Sequence, residues 1–272
     1  MTPTTQEKRA AFRKLHAHGC FVLPNPWDIG SARMLQGLGF KALATTSSGY
    51  AWTLGQPDGA TSRDTVLAHL RSIVAATDLP VNADFESGFA ADPDGVAESV
   101  RRAVETGVAG ISIEDSTGNA DDPLREVDDA VARLRAARAA IDETGGATLL
   151  VGRAENFIVG RPDLDDAIAR LKAYALAGAD CLYAPGIRTR EHIVAVVAAV
   201  APKPVNLLIG ASGLSLQQAG ELGVRRISVG GSLARSAWGG FMKAAKEMAE
   251  KGTFGELASG YPGGELNKMF GA

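Results

Sequence analysis

The sequence predicts a (β/α)8 barrel, and three observations support this fold class. Eight short apolar runs alternate along the chain with longer amphipathic stretches. Most of these runs are unbroken by polar residues, which is typical of parallel strands buried on both faces. The chain has 272 residues, and a barrel of this type needs about 250. We therefore expect one barrel domain that spans residues 1–272.

The predicted strands follow one another from near the amino terminus to residue 229. They are residues 20–24, 42–46, 80–85, 110–114, 148–153, 180–184, 204–208 and 226–229. A doubly wound open sheet is the main alternative fold. That fold usually carries a G-x-G-x-x-G phosphate loop after its first strand, and this sequence has no such motif there. The strand pattern therefore favours the barrel.

The predicted helices occupy the stretches between the strands. They are residues 28–38, 63–76, 93–106, 127–144, 162–177 and 190–200. Asp92 is a good N-cap for the third of these helices, and Pro93 suits its first turn. A last helix over residues 232–251 precedes a glycine-rich extension, residues 252–272, with several apolar side chains. We expect this extension to pack on the barrel or on a neighbouring subunit.

The composition indicates an ordinary globular protein and disfavours several classes of partner. Apolar residues make up 46% of the chain, charged residues 22%, and the net charge is −3. These values argue against disorder, nucleic-acid binding and attraction to anionic membranes. The amino terminus lacks the apolar core of a secretory signal, and Cys20 and Cys181 have no metal-ligand spacing. We expect a cytoplasmic protein that binds a small molecule.

Carboxylates are grouped where predicted strands end. Asp84 and Glu86 are two residues apart, so both side chains would point to the same side of a strand. Glu114 ends the next strand. Oxygen ligands without His or Cys favour Mg²⁺ or Mn²⁺ over Zn²⁺. The sequence therefore predicts a metal site formed by Asp84, Glu86 and Glu114. Taken singly, each carboxylate more often has a structural role, Asp84 as a cap of the following turn and Glu86 and Glu114 as partners of arginines.

Candidate substrate-binding residues lie at the same strand ends. Arg153 follows the apolar run 149–151 and could bind a carboxylate or phosphonate in a bidentate manner. A purely structural salt bridge to Glu114 or Glu155 is the alternative role. Asn206 is the polar residue of the seventh strand. The run of hydroxyl residues before a glycine also suits a carboxylate oxygen, although it could be a plain turn; it consists of Thr46, Ser47, Ser48 and Gly49.

Several motifs in order make the chain resemble the isocitrate lyase/phosphoenolpyruvate mutase superfamily over roughly residues 15–248. These motifs are N-P-W-D-I-G-S-A at 25–32, G-Q-P-D-G at 55–59, D-F-E-S-G-F at 84–89, G-I-S-I-E-D at 110–115 and G-R-A-E at 152–155. The resemblance implies a (β/α)8 barrel whose last helix is often swapped between the subunits of a dimer or tetramer. It also implies Mg²⁺ and a substrate that passes through a metal-stabilised enolate.

The resemblance assigns roles to individual residues. Asp84 and Glu86 match the D-x-D metal pair of the family, and Glu114 matches the acidic residue of its I-E-D motif. Asp58 matches an aspartate on the gate loop, and Arg153 matches the substrate-binding arginine. The resemblance thus gives Asp58, Arg153 and Glu114 catalytic roles. The run 46–48 matches the stretch that holds the substrate carboxylate, with altered residue types.

The departures from the family pattern concern the proton donor. Isocitrate and methylisocitrate lyases carry a K-[KR]-C-G-H loop soon after the I-E-D motif, whereas residues 116–123 here contain no Lys, Cys or His. Glu86 replaces the second aspartate of D-x-D, and Pro185 replaces a glutamate. A water molecule, Tyr50 or Tyr183 then remains as the acid that protonates the enolate carbon.

The sequence thus predicts a Mg²⁺-dependent lyase or decarboxylase that cleaves a C–C bond of a small α-keto or 2-hydroxy dicarboxylic acid. Two alternatives stay open. One is cleavage of a P–C bond, as in a phosphonopyruvate hydrolase or phosphoenolpyruvate mutase, although the loop after Asp115 lacks the lysines of the mutase. The other is a catalytically silent protein that binds α-keto acids, which the loss of the acid loop would explain.

Overall fold

The computed structural model describes residues 2–210 and 213–271 and contains a barrel of eight parallel strands. The strands are β1 (Phe21–Leu23), β2 (Leu43–Ala44), β3 (Val81–Asp84), β4 (Gly110–Glu114), β5 (Leu149–Arg153), β6 (Cys181–Tyr183), β7 (Val205–Leu208) and β8 (Arg226–Ser228). Their order is β1-β8-β7-β6-β5-β4-β3-β2. The Ala44 amide donates to the Pro24 carbonyl at 3.0 Å and so joins the two ends of this sheet. The predicted (β/α)8 barrel is confirmed.

Helices surround the strands in the described residues. They are α1 (Thr5–Leu15), α2 (Ile29–Gly37), α3 (Ser47–Thr53), α4 (Arg63–Ala76), α5 (Pro93–Glu105), α6 (Val127–Glu143), α7 (Leu164–Leu176), α8 (Arg190–Val200), α9 (Leu216–Glu221), α10 (Ser232–Lys251) and α11 (Gly263–Phe270). A 3₁₀ turn, Gly255–Ser259, precedes α11. Asp92 caps α5 as predicted, because its Oδ1 accepts from the Gly95 amide at 2.8 Å. None of the helices in these residues is long and apolar enough to cross a membrane.

Helix α1 closes the amino-terminal end of the barrel. Phe12 is fully buried and packs with Leu23, Ala42 and Leu149, which belong to the first, second and fifth strand regions. The Arg9 guanidinium, also buried, donates to the Val104 and Val108 carbonyls. The barrel is therefore blocked at this end, and ligands can enter at the carboxyl ends of the strands.

Helix α10 and the extension after it carry exposed apolar side chains. The one buried residue in this fully described helix is Ala234. Trp238 and Phe241 contact each other edge to face, yet Phe241 is 60% exposed. Helix α11 returns to the barrel, where Phe270 lies beside Gly30 of α2. Part of the extension thus packs on its own barrel, whereas α10 stays largely exposed among the residues that the structure describes.

Candidate active site

A cavity of about 240 Å³ lies at the carboxyl ends of the strands. Asp84, Arg153 and Tyr183 line it at the ends of β3, β5 and β6. It reaches down into the barrel as far as Arg226 on β8. It opens at its mouth into a vestibule of about 600 Å³, which shares Asp58 with it. Active sites of (β/α)8 barrels occupy this end of the barrel, so the cavity is the candidate active site.

Arg153 lies at the centre of a group of carboxylates. Its Nη1 is 2.8 Å from Asp84 Oδ1, its Nη2 is 3.2 Å from Glu114 Oε2, and its Nε is 2.8 Å from Glu155 Oε1. The register explains this grouping, because Arg153 pairs with Glu114 on β4 and with Tyr183 on β6. Both roles considered for Arg153 therefore remain compatible with its position, since it forms the salt bridges and also lines the cavity.

Asp84 joins this group to the start of α3. Its second oxygen, Oδ2, accepts from the Ser47 amide at 2.9 Å, and its own amide donates to Thr45 Oγ1 at 2.9 Å. The first turn of a helix leaves amide groups unpaired, so a carboxylate from the adjacent strand satisfies one of them here. Asp84 is thus fixed between α3 and Arg153, with its side chain 18% exposed.

Glu86 occupies a strained and poorly compensated position. Its φ angle is +46°, a left-handed conformation that is uncommon for residues other than glycine. Its Oε1 is buried with no hydrogen-bond partner among the described residues. Burial, and then the neighbouring carboxylates of Asp84 and Asp58, raise the pKa of Glu86 to about 7. Burial also raises the pKa of Glu114, although Arg153 opposes this shift.

The residues present fit a divalent cation bound by few protein ligands. Five carboxylates surround one guanidinium here, those of Asp58, Asp84, Glu86, Glu114 and Glu155. Within residues 2–210 and 213–271, no group of three Asp, Glu, His or Cys side chains converges closely enough to ligate a metal together. Mg²⁺ usually keeps several waters and binds through one or two carboxylates and the substrate. Excess negative charge and the unpartnered Glu86 oxygen both favour such an ion.

Some of the other predicted site residues line the cavity and others do not. Thr46, Ser47, Ser48 and Asp58 line the cavity. Burial raises the pKa of Asp58, although its loop is exposed, because the carboxyl faces the cavity near Ser47 and Asp84. Gly49 is buried inside α3, where a Cβ atom would lie 2.6 Å from Thr46 Cγ2. It permits close packing there and is not among the residues that line the cavity, so its contact with substrate stays a prediction.

Asn206 supports the cavity from behind rather than lining it. It is fully buried, accepts from Arg226 Nε at 2.8 Å and donates to Ser228 Oγ at 2.9 Å. Five further polar residues that line the cavity received no site role from the sequence; they are Asn25, Asn82, Ser112, Arg226 and Ser228. A signal for several of them existed, because polar residues recur at every second position, as at 82 and 84, 112 and 114, and 226 and 228.

The structure separates the two tyrosines that could donate a proton. Tyr50 stacks on His69 at a ring distance of 3.7 Å and faces a different surface depression. Tyr183 lines the cavity, with the Arg153 guanidinium 5.2 Å from the centre of its ring. Burial raises the pKa of Tyr183 to about 12, so its hydroxyl keeps its proton at neutral pH. Tyr183 is therefore the tyrosine that can act on a ligand here.

The loop that replaces the family's acid loop is anchored away from the cavity. Ser116 and Leu124 form a short antiparallel bridge within it. At its base, Asp115 accepts hydrogen bonds from the Tyr174 hydroxyl at 2.5 Å and from Arg170 at 3.2 Å. In the part of the chain that the structure describes, residues 116–124 do not line the cavity.

Comparisons with known proteins agree with this fold. The model of the phosphoenolpyruvate phosphomutase family matches residues 12–249. An oxaloacetate decarboxylase from Paraburkholderia xenovorans (strain LB400) is 32% identical over 238 residues, which cover 83% of this chain and 75% of that protein. A solved structure from Burkholderia cenocepacia J2315 is 50% identical, covers 98% of both chains and has a TM-score of 0.95.

A solved oxaloacetate acetylhydrolase in complex with oxalate is 26% identical over 99% of this chain and 96% of its own, with a TM-score of 0.87. A 2,3-dimethylmalate lyase is 27% identical over 100% and 96% of the two chains, with a TM-score of 0.85. The family match and these relatives together establish that the chain belongs to the phosphoenolpyruvate mutase/isocitrate lyase superfamily and is a lyase of that superfamily.

Proposed function

We propose that the chain is a Mg²⁺-dependent lyase that cleaves a C–C bond of a small 2-oxo or 2-hydroxy dicarboxylic acid through an enolate. The observation that carries this proposal is the group of carboxylates around Arg153, with Asp84 fixed by the Ser47 amide. Its excess negative charge suits a divalent cation, and the cavity of about 240 Å³ suits a small substrate. Oxaloacetate is the first substrate to test, because relatives that decarboxylate or hydrolyse it match most of the chain.

Each group of the site has a part in this reaction. Asp84 and Glu86 would hold the cation. Glu114 would keep the Arg153 guanidinium in place beside Asp84. A bound Mg²⁺ supplies a Lewis acid that stabilises the negative charge of the enolate. The Ser47 and Ser48 hydroxyls can donate hydrogen bonds to substrate oxygens, and the Tyr183 hydroxyl can donate its proton to the enolate carbon. Asp58, on its exposed loop, lies where the cavity meets the vestibule.

Turnover and ligand binding in the presence of Mg²⁺ test the proposal. We expect the protein with Mg²⁺ to convert oxaloacetate or a malate-type acid, and EDTA to abolish the reaction. We also expect oxalate to raise the unfolding free energy only when Mg²⁺ is present. At a hundredfold excess over its Kd, the gain should be about 2.7 kcal/mol, measured by denaturant unfolding.

Two outcomes distinguish this function from the alternatives. Release of phosphate or phosphoenolpyruvate from phosphonopyruvate, with no C–C cleavage, would assign P–C chemistry instead. Tight Mg²⁺-dependent binding of oxalate or pyruvate, with no turnover of any of these acids, would indicate a silent binding protein. Turnover that is lost in the Asp58→Ala variant would exclude the silent protein.

We further propose that the protein is a homo-oligomer joined through α10. The exposed Trp238 and Phe241 side chains on this helix form an apolar surface of the kind that marks interfaces. We expect light scattering after gel filtration to give the mass of a dimer or tetramer, and Phe241→Glu to lower that mass. Leu176→Glu is a matched control, because Leu176 is 86% exposed on a different helix. A wild-type monomer would contradict the proposal.

A further inference from the structure

Four adjacent strands each contribute one side chain to a row inside the barrel. In the strand register, Tyr183 on β6 pairs with Arg153 on β5 and with Asn206 on β7. Asn206 pairs in turn with Arg226 on β8. Arg153, Tyr183 and Arg226 also line the cavity. The row therefore has a guanidinium group at each end, with the Tyr183 hydroxyl and the Asn206 amide between them.

The two guanidinium groups differ in the charges around them. Each of the three guanidinium nitrogens of Arg153 contacts a carboxylate. Arg226 is 2% exposed, and its side-chain partners among the described residues are Asn82, Asn206 and His16. His16 is neutral, because burial and the Arg226 charge lower its pKa to about 3. Buried charges are normally paired, so Arg226 is a cation without a counter-charge in this part of the chain.

Arg226 fixes the orientation of the Asn206 side-chain amide. A guanidinium group only donates hydrogen bonds, so the Asn206 atom that lies 2.8 Å from Arg226 Nε has to be the oxygen, Oδ1. The nitrogen of the same amide, Nδ2, therefore faces Ser228 Oγ, to which it donates at 2.9 Å. Because the Ser228 oxygen accepts this hydrogen bond, its own proton is left to donate to another group.

The Tyr183 hydroxyl is the group that receives the Ser228 proton. Ser228 and Tyr183 both line the cavity. Burial raises the pKa of Tyr183 to about 12, while the Arg153 charge and a hydrogen bond with the Ser228 hydroxyl lower it. A hydrogen bond lowers the pKa of an acid when it is donated to the ionised form. Since Ser228 donates to the Tyr183 oxygen, the Tyr183 proton is free to point at a ligand in the cavity.

We propose that the hydrogen-bonded chain from Arg226 to Ser228 positions Tyr183 to protonate the enolate carbon and stabilises the phenolate that this step leaves. This inference rests on the proposed lyase function. After the C–C bond has broken, the electron pair of the enolate forms a C–H bond with the Tyr183 proton, and the keto group forms again. The O–H bond breaks and leaves its electron pair on the Tyr183 oxygen. A proton from water then restores the hydroxyl.

The phenolate is the counter-charge that Arg226 lacks. Burial lowers the pKa of Arg226, and the ionised forms of the Cys181 and Tyr183 side chains oppose this shift. Burial raises the pKa of Cys181, so at neutral pH the thiol stays protonated. The carboxylates around Arg153 already compensate that cation. Arg226 is therefore the cation whose field is left to stabilise negative charge on Tyr183, and fixed charges of this kind favour the step in which the charge develops.

Variants of Ser228 test the chain, with Mg²⁺ and the acid that the wild type converts. We expect Ser228→Ala to lower kcat by about 10-fold, as for loss of a hydrogen bond to a charged group. Ser228→Thr keeps the hydroxyl and should restore kcat to within about threefold of the wild type. KM and the calorimetric Kd of oxalate should stay unchanged in both. Ser99→Ala is the matched control, because Ser99 is fully buried on α5 and accepts from Arg63 instead.

Asn206→Asp separates positioning from a merely structural role. The new carboxylate has the same shape and pairs with Arg226, so the variant should fold at least as stably as the wild type. It has no proton to donate, and it accepts the proton of Ser228, which reverses the chain and draws the Tyr183 proton away from the ligand. It also neutralises Arg226. We expect kcat to fall by about 100-fold, in the range of general acid catalysis, with oxalate binding unchanged.

The failure of this inference and the failure of the lyase function give different results. A wild type that cleaves a C–C bond, with Ser228→Ala and Asn206→Asp at the same kcat, would overturn the chain and leave the lyase function intact. A wild type that cleaves none of the proposed acids would refute both. If Asn206→Asp does not fold, the contrast between Ser228→Ala and Ser228→Thr decides the matter, and equal kcat values for these two would contradict the proposal.

Discussion

The Asp84→Asn variant is expected to lose about 10³-fold or more in kcat/KM with Mg²⁺ and the substrate identified for the wild type. Asp84 contacts the Ser47 amide and Arg153 and is the member of the predicted metal set that lines the cavity. The asparagine amide has the same shape as the aspartate carboxylate but lacks the charge that would bind the cation. It also holds the Arg153 guanidinium less strongly. Losing one preorganised electrostatic group typically costs 10²–10³-fold, and a weakened cation adds to that loss.

The fold should survive this substitution. Arg153 keeps its contacts with Glu114 and Glu155, and removing one carboxylate reduces repulsion within the group. We therefore expect the midpoint of thermal unfolding to change by no more than a few degrees. Asp64→Asn is the control, because Asp64 is 73% exposed and pairs with Arg102 on the surface. Activity of Asp84→Asn above a tenth of the wild type would show that Asp84 has no essential role.

The sequence was sufficient to predict the strands and the long helices of this fold. Buried parallel strands are apolar throughout, and helices α4, α8 and α10 begin and end where periodicity predicts. The sequence was not sufficient to predict helices α1, α3 and α9 or the structure of the extension. Helix α1 is rich in charge, yet Lys8 and Arg9 are buried because they reach backbone carbonyls of other elements. Contacts between distant segments of the chain decide such cases, and no local pattern records them.

The candidate site was predictable at its rim but not at its floor. Asp84, Glu114 and Arg153 end their strands, and polar residues at strand ends are a recognisable signal. Arg226 begins its strand instead, where a charged residue is usually exposed at the closed end of a barrel. It lies inside because Asn82 and Asn206 accept its hydrogen bonds across the lumen. That arrangement depends on which strands face each other, which requires the closed barrel.

The Glu86→Gln variant is expected to be more stable than the wild type at pH 8 and within about 1 kcal/mol of it at pH 5, without metal. The pKa of Glu86 is raised to about 7 in the folded protein, from an ordinary value of 4.5. A raised pKa means that the folded state holds the proton more tightly, so the stability it contributes is full below pH 4.5. That stability is lost as the pH rises through 7, at a cost of about 3 kcal/mol. Urea unfolding in EDTA at both pH values measures the difference.

The loss of the Glu86 charge also favours the neighbouring Glu114, which adds to the stability of the variant. A substitution of an exposed carboxylate serves as the control. The Glu86 charge helps to raise the pKa of Glu114, so replacing it also eases the ionisation of that residue. Glu98→Gln changes a carboxylate that is 57% exposed beside Arg101, and its effect should stay below about 0.5 kcal/mol at either pH. A stability difference between Glu86→Gln and wild type that does not vary with pH would disprove the assignment.

The same variant links the stability of the fold to the binding of the cation. The ionised Glu86 destabilises the metal-free protein because its carboxylate lies among others with an unpartnered oxygen. A divalent cation would supply the missing partner and compensate that charge. Mg²⁺ at pH 8 should therefore raise the unfolding free energy of the wild type more than that of Glu86→Gln. At pH 5, where Glu86 is protonated, the two proteins should respond more nearly alike, because the Glu86 charge that would attract the cation is absent from both.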